Sequence, residues 1–263
     1  MKLFDSHCHL DDRSYQKDFA SVLDRAGTAG VEKIMVVGTT HKSSHEVVSI
    51  AETHEDLYAS IGIHPHDAKD CSEEKLLSVR TLAKSKKVRA WGEIGLDFNR
   101  MYSSRVDQEK WLVGQVEIAD DIDLPIIFHE RDSNGRLLEI LNAGSDKERK
   151  GVVHCFSGDR NELEQYLDLG LHIGITGILT HKERGEPLRD LIQYIPQNRI
   201  LVETDAPYLT PTPERNKFRR NEPAFVRSVF LKLVEVLDAD PESLAETIWD
   251  NTCRLFHIDN PSL

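Results

Sequence analysis

The sequence of 263 residues has no basic surplus. It contains 45 Asp and Glu against 33 Lys and Arg, so the formal charge is −12 when the twelve histidines are neutral. Proteins that hold nucleic acid through charge alone present a broad basic surface, and this composition excludes that class. Any binding to a polyanion must therefore rest on local positive charge, and we expect it to be salt-sensitive and non-processive.

Cysteine is scarce and unpaired. The four cysteines lie far apart without a Cys-x-x-Cys pair, which indicates neither a disulfide framework nor a cysteine zinc site and fits a reducing compartment. Long apolar runs are missing too. The first ten residues include a lysine, an aspartate and two histidines, unlike a secretory signal. No segment reaches the ~18 apolar residues of a membrane span, so we expect a cytoplasmic location without membrane contact.

Short apolar runs recur eight times, and each is followed by a longer stretch with helical period. Together with the chain length, this alternation predicts the α/β class and a single (β/α)8 TIM-barrel domain over residues 1–263. Asn221 is the predicted N-cap of the helix that follows the eighth run. The predicted strands lie near Leu3–Cys8, Lys33–Val37, Tyr58–Ile63, Arg89–Ile94, Pro125–Phe128, Gly151–Cys155, His172–Ile175 and Ile200–Glu203.

Metal-ligating side chains stand where several of these runs end. In a parallel barrel the strand ends meet on one face, which is where such enzymes carry their active sites. His7 and His9 are two residues apart, so both imidazoles point to one side of an extended strand while Cys8 points to the other. Four further run ends each contribute an imidazole or a carboxylate: Glu93, His129, His154 and Asp205.

Six such residues on one face predict a metal centre. Imidazole and carboxylate suit Zn²⁺, Mn²⁺ or Fe²⁺, and Mg²⁺ with more carboxylate and water. Six ligands exceed one tetrahedral site, whereas two divalent cations roughly 3.5–4 Å apart can share them if a carboxylate bridges. Glu93, on the fourth strand, is the predicted bridge. Asp205 is expected to complete the first site or to act as base toward an attacking water.

Five motifs, in this order, extend over nearly the whole chain and resemble the TatD family of metal-dependent deoxyribonucleases. They are HCH (7–9), GIHPH (62–66), GEIGLD (92–97), HCFSG (154–158) and ETDAPYL (203–209). Other segments resemble the TatD nuclease branch most, although the bacterial enzyme that names this branch lacks the first-strand His-x-His that is present here.

This resemblance implies a barrel of the amidohydrolase type with two divalent cations, Mg²⁺, Mn²⁺ or Zn²⁺. It implies a 3′→5′ exonuclease that acts on single-stranded DNA ends in DNA repair or degradation, with RNA left open as a substrate. The implied metal ligands are His7, His9, Glu93, His129, His154 and Asp205. The implied catalytic residues are Glu93, Asp205 and His64 of the His-Pro-His motif.

Substrate contacts are expected from loops beyond the strand ends, where local cations and aromatic rings can meet phosphates and unpaired bases. The chain is expected to act as a monomer without an obligate protein partner. The predicted contacts are His66, Arg131, Arg184, Tyr208 and Arg220, with Lys217, Arg219 and Phe218 as further candidates and Phe156 assigned to the core.

Two alternatives stay open from the sequence. A barrel with the same metals could hydrolyse another bond, such as an amide, lactone, phosphotriester or aminoacyl ester. Many such barrels bridge their metals with a carboxylated lysine on the fourth strand, where this chain has Glu93, which favours the nuclease. The second alternative is a non-catalytic barrel that binds a partner through its acidic surface.

Overall fold

The computed structural model describes residues 1–144 and 148–259. Within these residues, eight strands form one sheet in the order of the chain, and the strand pairs for which register is defined are parallel. The strands are β1 (Leu3–Cys8), β2 (Val31–Val37), β3 (Leu57–Ile61), β4 (Val88–Asp97), β5 (Ile126–Arg131), β6 (Gly151–Val153), β7 (His172–Ile175) and β8 (Ile200–Val202).

Helices follow the strands along the chain. This alternation and strand order are those of a (β/α)8 barrel, which confirms the predicted fold class. None of the helices in the described ranges is both long and apolar enough to cross a membrane. The α-helices are α1 (Phe19–Thr28), α2 (His41–Glu52), α3 (Glu73–Leu82), α4 (Arg105–Asp121), α5 (Arg136–Gly144), α6 (Arg160–Asp168), α7 (Glu186–Ile192), α8 (Val226–Leu237) and α9 (Pro241–Leu255).

The segment that follows β8 is hydrogen-bonded to the end of β1. The backbone N–H of His9 donates to the carbonyl of Ala206 (2.7 Å), and the N–H of Asp205 donates to the carbonyl of His7 (2.9 Å). Because backbone hydrogen bonds fix neighbouring chains in register, they hold the residues that follow β8 beside the end of β1.

The predicted strands match closely, and their ends differ for local reasons. The bounds of β1 and β7 agree with the prediction, whereas β4 continues three residues beyond Ile94. Strand β6 is shorter than predicted and stops at Val153, because Cys155 takes a left-handed backbone conformation with φ of 49° that cannot continue a strand.

The predicted helix cap at Asn221 is wrong. Helix α8 begins at Val226, after a 3-10 turn at Pro223–Phe225 that has Glu222 at its N-cap position. The side chain of Asn221 is fully buried and instead donates to the carbonyls of Thr204 (2.9 Å) and Tyr208 (2.6 Å). The side-chain amide of Asn221 therefore holds two carbonyls of the loop after β8 and does not cap the helix.

The chain divides into two compact units, which we describe separately. Unit 1 comprises residues 1–36, 155–159 and 173–263, and unit 2 comprises residues 37–154 and 160–172. In unit 1, Phe4 packs between Trp249 and Phe256 of the C-terminal segment, with ring centroids 6.1 and 6.4 Å apart. In unit 2, the fully buried Trp91 donates its indole N–H to the amide oxygen of Gln115 on α4.

Candidate metal centre

In unit 1, His7, His9 and Asp205 converge at the end of β1. The two histidine Nε2 atoms are 3.2 Å apart, and Oδ1 of Asp205 lies 3.4 Å from Nε2 of His9 and 3.8 Å from Nε2 of His7. Between them, Cys8 is fully buried and its thiol lies near the carbonyl of Ala206. The alternation of a strand therefore turns both imidazoles to one side, where they approach the carboxylate of Asp205, while Cys8 points to the other side.

Backbone geometry directs Asp205. Its φ of 55° is left-handed, and its carbonyl accepts the N–H of Tyr208 (2.8 Å) in a tight turn. The preceding Thr204 is held by Asp5, which accepts the backbone N–H of Thr204 at 2.8 Å and its hydroxyl at 2.6 Å. Burial raises the pKa of Asp5 to about 8. Asp5 was not among the predicted site residues, although a carboxylate inside an apolar strand run was the available signal.

A second buried acid supports the same unit. Glu203 is fully buried and accepts the backbone N–H of Cys155 at 2.6 Å. A Cβ on Gly174 would lie 2.7 Å from both carboxylate oxygens of Glu203, so only glycine leaves room for this acid. Burial raises the pKa of the Cys155 thiol far above its usual range, which keeps it neutral. These contacts position the chain immediately after β6.

In unit 2, one carboxylate oxygen stands among three imidazoles. Oε1 of Glu93 lies 2.7 Å from Nδ1 of His129, 3.4 Å from Nε2 of His64 and 3.7 Å from Nε2 of His154. Glu93 itself is only 3% exposed. The structure thus brings together the four residues of this unit that were predicted as ligands or catalytic groups.

Gly95 allows strands β4 and β5 to approach each other closely beside this site. Gly95 pairs with His129 across β4 and β5. Its φ is 151°, a backbone conformation that residues other than glycine rarely adopt. A Cβ on Gly95 would lie 1.9 Å from the carbonyl oxygen of His129. The backbones of the two strands that carry Glu93 and His129 can therefore approach only if this position lacks a side chain.

Burial and neighbouring groups set the protonation of two of these imidazoles, those of His64 and His129. Nδ1 of His64 accepts the backbone N–H of His66 (3.1 Å), and burial lowers the pKa of His64 to about 4, so the neutral ring carries its proton on Nε2. Burial alone would lower the pKa of His129, but the carboxylates of Asp97 and Glu93 raise it to about 9. Its Nε2 is buried, lies 3.5 Å from Asp97 and, among the described residues, makes no hydrogen bond.

Asp97 is a further residue of this site, although the sequence predicted no role for it beyond its place in the GEIGLD motif. It is fully buried, and its Oδ2 accepts the Nε2–H of His66 at 2.6 Å. Its Oδ1 accepts the backbone N–H groups of Asn99 (3.0 Å) and Arg100 (2.7 Å). Burial alone would raise the pKa of Asp97, but these hydrogen bonds and the nearby His129 hold it well below its usual range. Asp97 thereby orients His66.

Both groups fit divalent cations. Each offers imidazole nitrogens and a carboxylate, which are the donors that Zn²⁺ and Mn²⁺ accept. The ligand atoms of Glu93, His129 and His154 lie within 4.8 Å of one another, close enough for one ion. The buried Nε2 of His129 makes only a long approach of 3.5 Å to Asp97, and a cation that replaced its proton would give this nitrogen a close partner.

The predicted substrate contacts have different surroundings. Arg184 and the 57% exposed Tyr208 line a pocket of unit 1, whereas Phe156 is buried as predicted. Arg131 ends β5, two residues beyond His129.

Arg220 is already engaged in unit 1. It donates to both carboxylate oxygens of Asp18 (2.8 and 2.7 Å) and to the carbonyl of Ser14 (2.6 Å), and its guanidinium lies over the ring of Tyr15. A phosphate would have to compete with Asp18 for this guanidinium.

The strand order and the imidazole and carboxylate groups at the strand ends define a class, the barrels of metal-dependent hydrolases. A sequence model of the family described as TatD related DNase matches residues 4–257. The chain belongs to this family.

Relatives match along their whole length. The "3'-5' ssDNA/RNA exonuclease TatD" of a Rahnella species is 39% identical over 259 residues, which is 97% of this chain and 98% of that protein. The crystal structure of YJJV, a TatD homologue from Escherichia coli, has a TM-score of 0.90 at 33% identity and covers 98% of each chain. A TatD family hydrolase from Entamoeba histolytica, at 24% identity, covers 98% of this chain and 99% of its own and shares the fold with a TM-score of 0.88.

Proposed function

We propose that this protein is a metal-dependent 3′→5′ exonuclease that removes nucleotides from single-stranded DNA ends, with RNA as a second substrate, and that it acts in DNA repair or degradation. Family membership and the names of its relatives support hydrolysis of phosphodiester bonds. The observation that carries the proposal is the carboxylate oxygen of Glu93 among the imidazoles of His64, His129 and His154. The alternative of an amide, lactone or other ester substrate is not favoured, because the relatives are named exonucleases.

We assign two divalent cations, Mg²⁺, Mn²⁺ or Zn²⁺, to six ligands: His7, His9, Glu93, His129, His154 and Asp205. Glu93 is the proposed shared ligand, as the order of the strands predicts. When bound, the cations would neutralise charge on the phosphate and acidify a water molecule. The support within each unit is the convergence of imidazole and carboxylate donors.

The chain's own residues then handle protons and substrate. Asp205 is exposed enough at its carboxylate to accept a proton from the attacking water. The Nε2–H of the neutral His64 is proposed to donate a hydrogen bond to the leaving oxygen, which takes its proton from solvent. His66, fixed by Asp97, is proposed to orient the substrate. Arg131, Arg184 and Tyr208 are proposed contacts, and Arg220 is proposed to reach phosphate only by exchanging its bonds with Asp18.

Three broader expectations remain predictions. The family match over residues 4–257 supports a single hydrolase domain. The four free cysteines are consistent with the predicted cytoplasmic location. A monomer without a protein partner is the predicted state of assembly.

The test compares Glu93→Gln and His129→Ala with the wild-type protein. End-labelled single-stranded DNA, duplex DNA and single-stranded RNA are incubated with Mg²⁺, Mn²⁺ or Zn²⁺, and bound metal is measured on the same preparations. We expect the wild type to shorten single strands from the 3′ end. Both variants should lose bound metal and at least about 100-fold of kcat/KM, in line with the cost of removing one charge-stabilising catalytic group.

Glu74→Gln is the matched control, because Glu74 is exposed on α3 and the substitution is chemically the same. It should behave as the wild type. Full metal content and full activity in Glu93→Gln would remove Glu93 from the site. A wild-type protein that cleaves none of the nucleic acids with any of the metals would refute the nuclease assignment.

A further inference from the structure

A large groove lies in unit 1, beside the turn that carries Asp205. It has a volume of about 800 Å³ and is lined by residues 181–184 and 207–210 together with Arg215, Phe218 and Arg219. We call it the basic groove. Its volume falls within the range of roughly 300–1,000 Å³ that is usual for ligand pockets.

The charge of the groove opposes that of the chain. Lys182, Arg184, Arg215 and Arg219 face one carboxylate, Glu183, in a protein whose formal charge is −12. Each of the four cationic residues is exposed, and within residues 1–144 and 148–259 none of them forms an ion pair. Local cations without counter-ions are what an acidic protein needs to hold a polyanion.

Two exposed aromatic rings accompany the cations. Tyr208 is 57% exposed and Phe218 is 52% exposed, so both rings are accessible to a ligand. Phe218 packs on Phe225 at 5.7 Å between ring centroids, so its position is fixed by a neighbour. Fixed rings beside cations are the combination with which proteins hold unpaired bases.

Hydrogen bonds within the protein hold both sides of the groove in place. Arg189 donates to the carbonyls of Leu179 (3.0 Å) and His181 (2.8 Å), and so fixes the 181–184 side. An imidazole nitrogen of His181 lies 3.1 Å from the carbonyl of Thr210, which joins that side to the 207–210 side. Burial and the nearby Arg215 and Arg184 lower the pKa of His181, so this link is that of a neutral imidazole.

The groove adjoins the metal-ligand group of unit 1 through Tyr208. Tyr208 follows Asp205 in the same turn, and its ring lies 6.0 Å from the ring of His9, edge to face. A nucleotide whose phosphate reached a cation held at Asp205 would therefore place the adjoining part of its strand against Tyr208.

We propose that the basic groove binds several nucleotides of a single strand next to the cleaved bond, with Lys182, Arg184, Arg215 and Arg219 on phosphates and Tyr208 and Phe218 on bases. This inference rests on the proposed function and adds to it the residues that would hold the single strand beside the cleaved bond. Short phosphodiesters would reach the metal ligands without using the groove.

The test separates chemistry from strand binding. The double variant Arg215→Ala/Arg219→Ala is compared with wild type on bis(p-nitrophenyl) phosphate and on oligothymidylate of about 20 nucleotides, longer than one strand-binding site. We expect KM for the oligonucleotide to rise about tenfold, and the slope of log(kcat/KM) against log[salt] to become shallower by about 1.4, as for the loss of two phosphate contacts on a single strand. The kcat/KM for bis(p-nitrophenyl) phosphate should stay within about twofold of wild type, because this ester lacks the strand that the groove would hold.

Lys84→Ala/Lys86→Ala is the matched control, because both lysines are exposed between α3 and β4 and the change in net charge is the same. An equal rise in KM in this control would show a general charge effect and would refute strand binding in the basic groove. Unchanged KM and salt slope in the groove variant would overturn it as well. If wild type cleaves neither oligonucleotide nor the small diester, the proposed function fails first, which is a distinct result.

A third variant tests the bases. Phe218→Ala should reduce the ratio of single-strand to blunt-duplex cleavage about tenfold. A loss of oligouridylate cleavage of about tenfold in the same variant would indicate that the groove also binds RNA. A ratio equal to that of wild type would refute base stacking at Phe218.

Discussion

Asn221 is expected to be a main determinant of stability in the loop after β8. It is fully buried, donates to the carbonyls of Thr204 and Tyr208, and accepts the backbone N–H of Glu222 at 2.9 Å. The Asn221→Ala substitution would remove three hydrogen bonds and leave three backbone groups without these partners. Because each unsatisfied buried group costs ~1–3 kcal/mol and some will recover water, we expect the free energy of unfolding to fall by about 4 kcal/mol.

Urea titration followed by circular dichroism measures this loss, and thermal scans should show Tm lower by roughly 8–16 °C for a domain of this size. Asn216→Ala is the control, because Asn216 is exposed in the neighbouring 3-10 turn. The control should change stability by less than about 0.5 kcal/mol. If Asn221→Ala lost no more than Asn216→Ala, the hydrogen bonds of Asn221 would not be what holds this loop.

Two further predictions concern Gly95 and the cysteines. Gly95→Ala should lower the free energy of unfolding by roughly 3 kcal/mol or more in urea titration, because of its φ of 151° and the carbonyl of His129. Gly114→Ala, in open space on α4, should raise it by ~0.5–1 kcal/mol, and equal effects would refute the steric argument. Burial raises the pKa of Cys71 and Cys253 to about 11. Near pH 8 both thiols should therefore react with Ellman's reagent about 100-fold more slowly than in urea, and the rate should rise about tenfold per pH unit. Reaction of these thiols at the rate of the denatured chain would contradict this.

Much of the fold was predictable because strand alternation is a local property. The apolar runs at Leu3–Cys8 and His172–Ile175 were located to the residue, since burial on both faces makes such runs continuous. Strand ends were harder to locate. They depend on backbone conformations such as that of Cys155, which apolar patterning does not encode. The cap at Asn221 failed because tertiary partners competed for its amide.

The ligands could be predicted from the sequence because strand ends share one face in a parallel barrel. Within unit 1, His7, His9 and Asp205 meet, and within unit 2 Glu93 meets His64, His129 and His154. Asp5 and Asp97 were not predicted as functional residues, because their importance lies in partners distant in sequence, which spacing does not reveal.

The left-handed backbone of Asp205 bears on how its chemistry can be tested. Asparagine tolerates this conformation better than other residues with a side chain, whereas alanine is strained there. An alanine variant would therefore mix a misplaced turn with a missing carboxylate, and its lost activity would have two causes. Asp205→Asn keeps the turn and changes the charge alone, which makes it the variant whose kinetics report on the carboxylate.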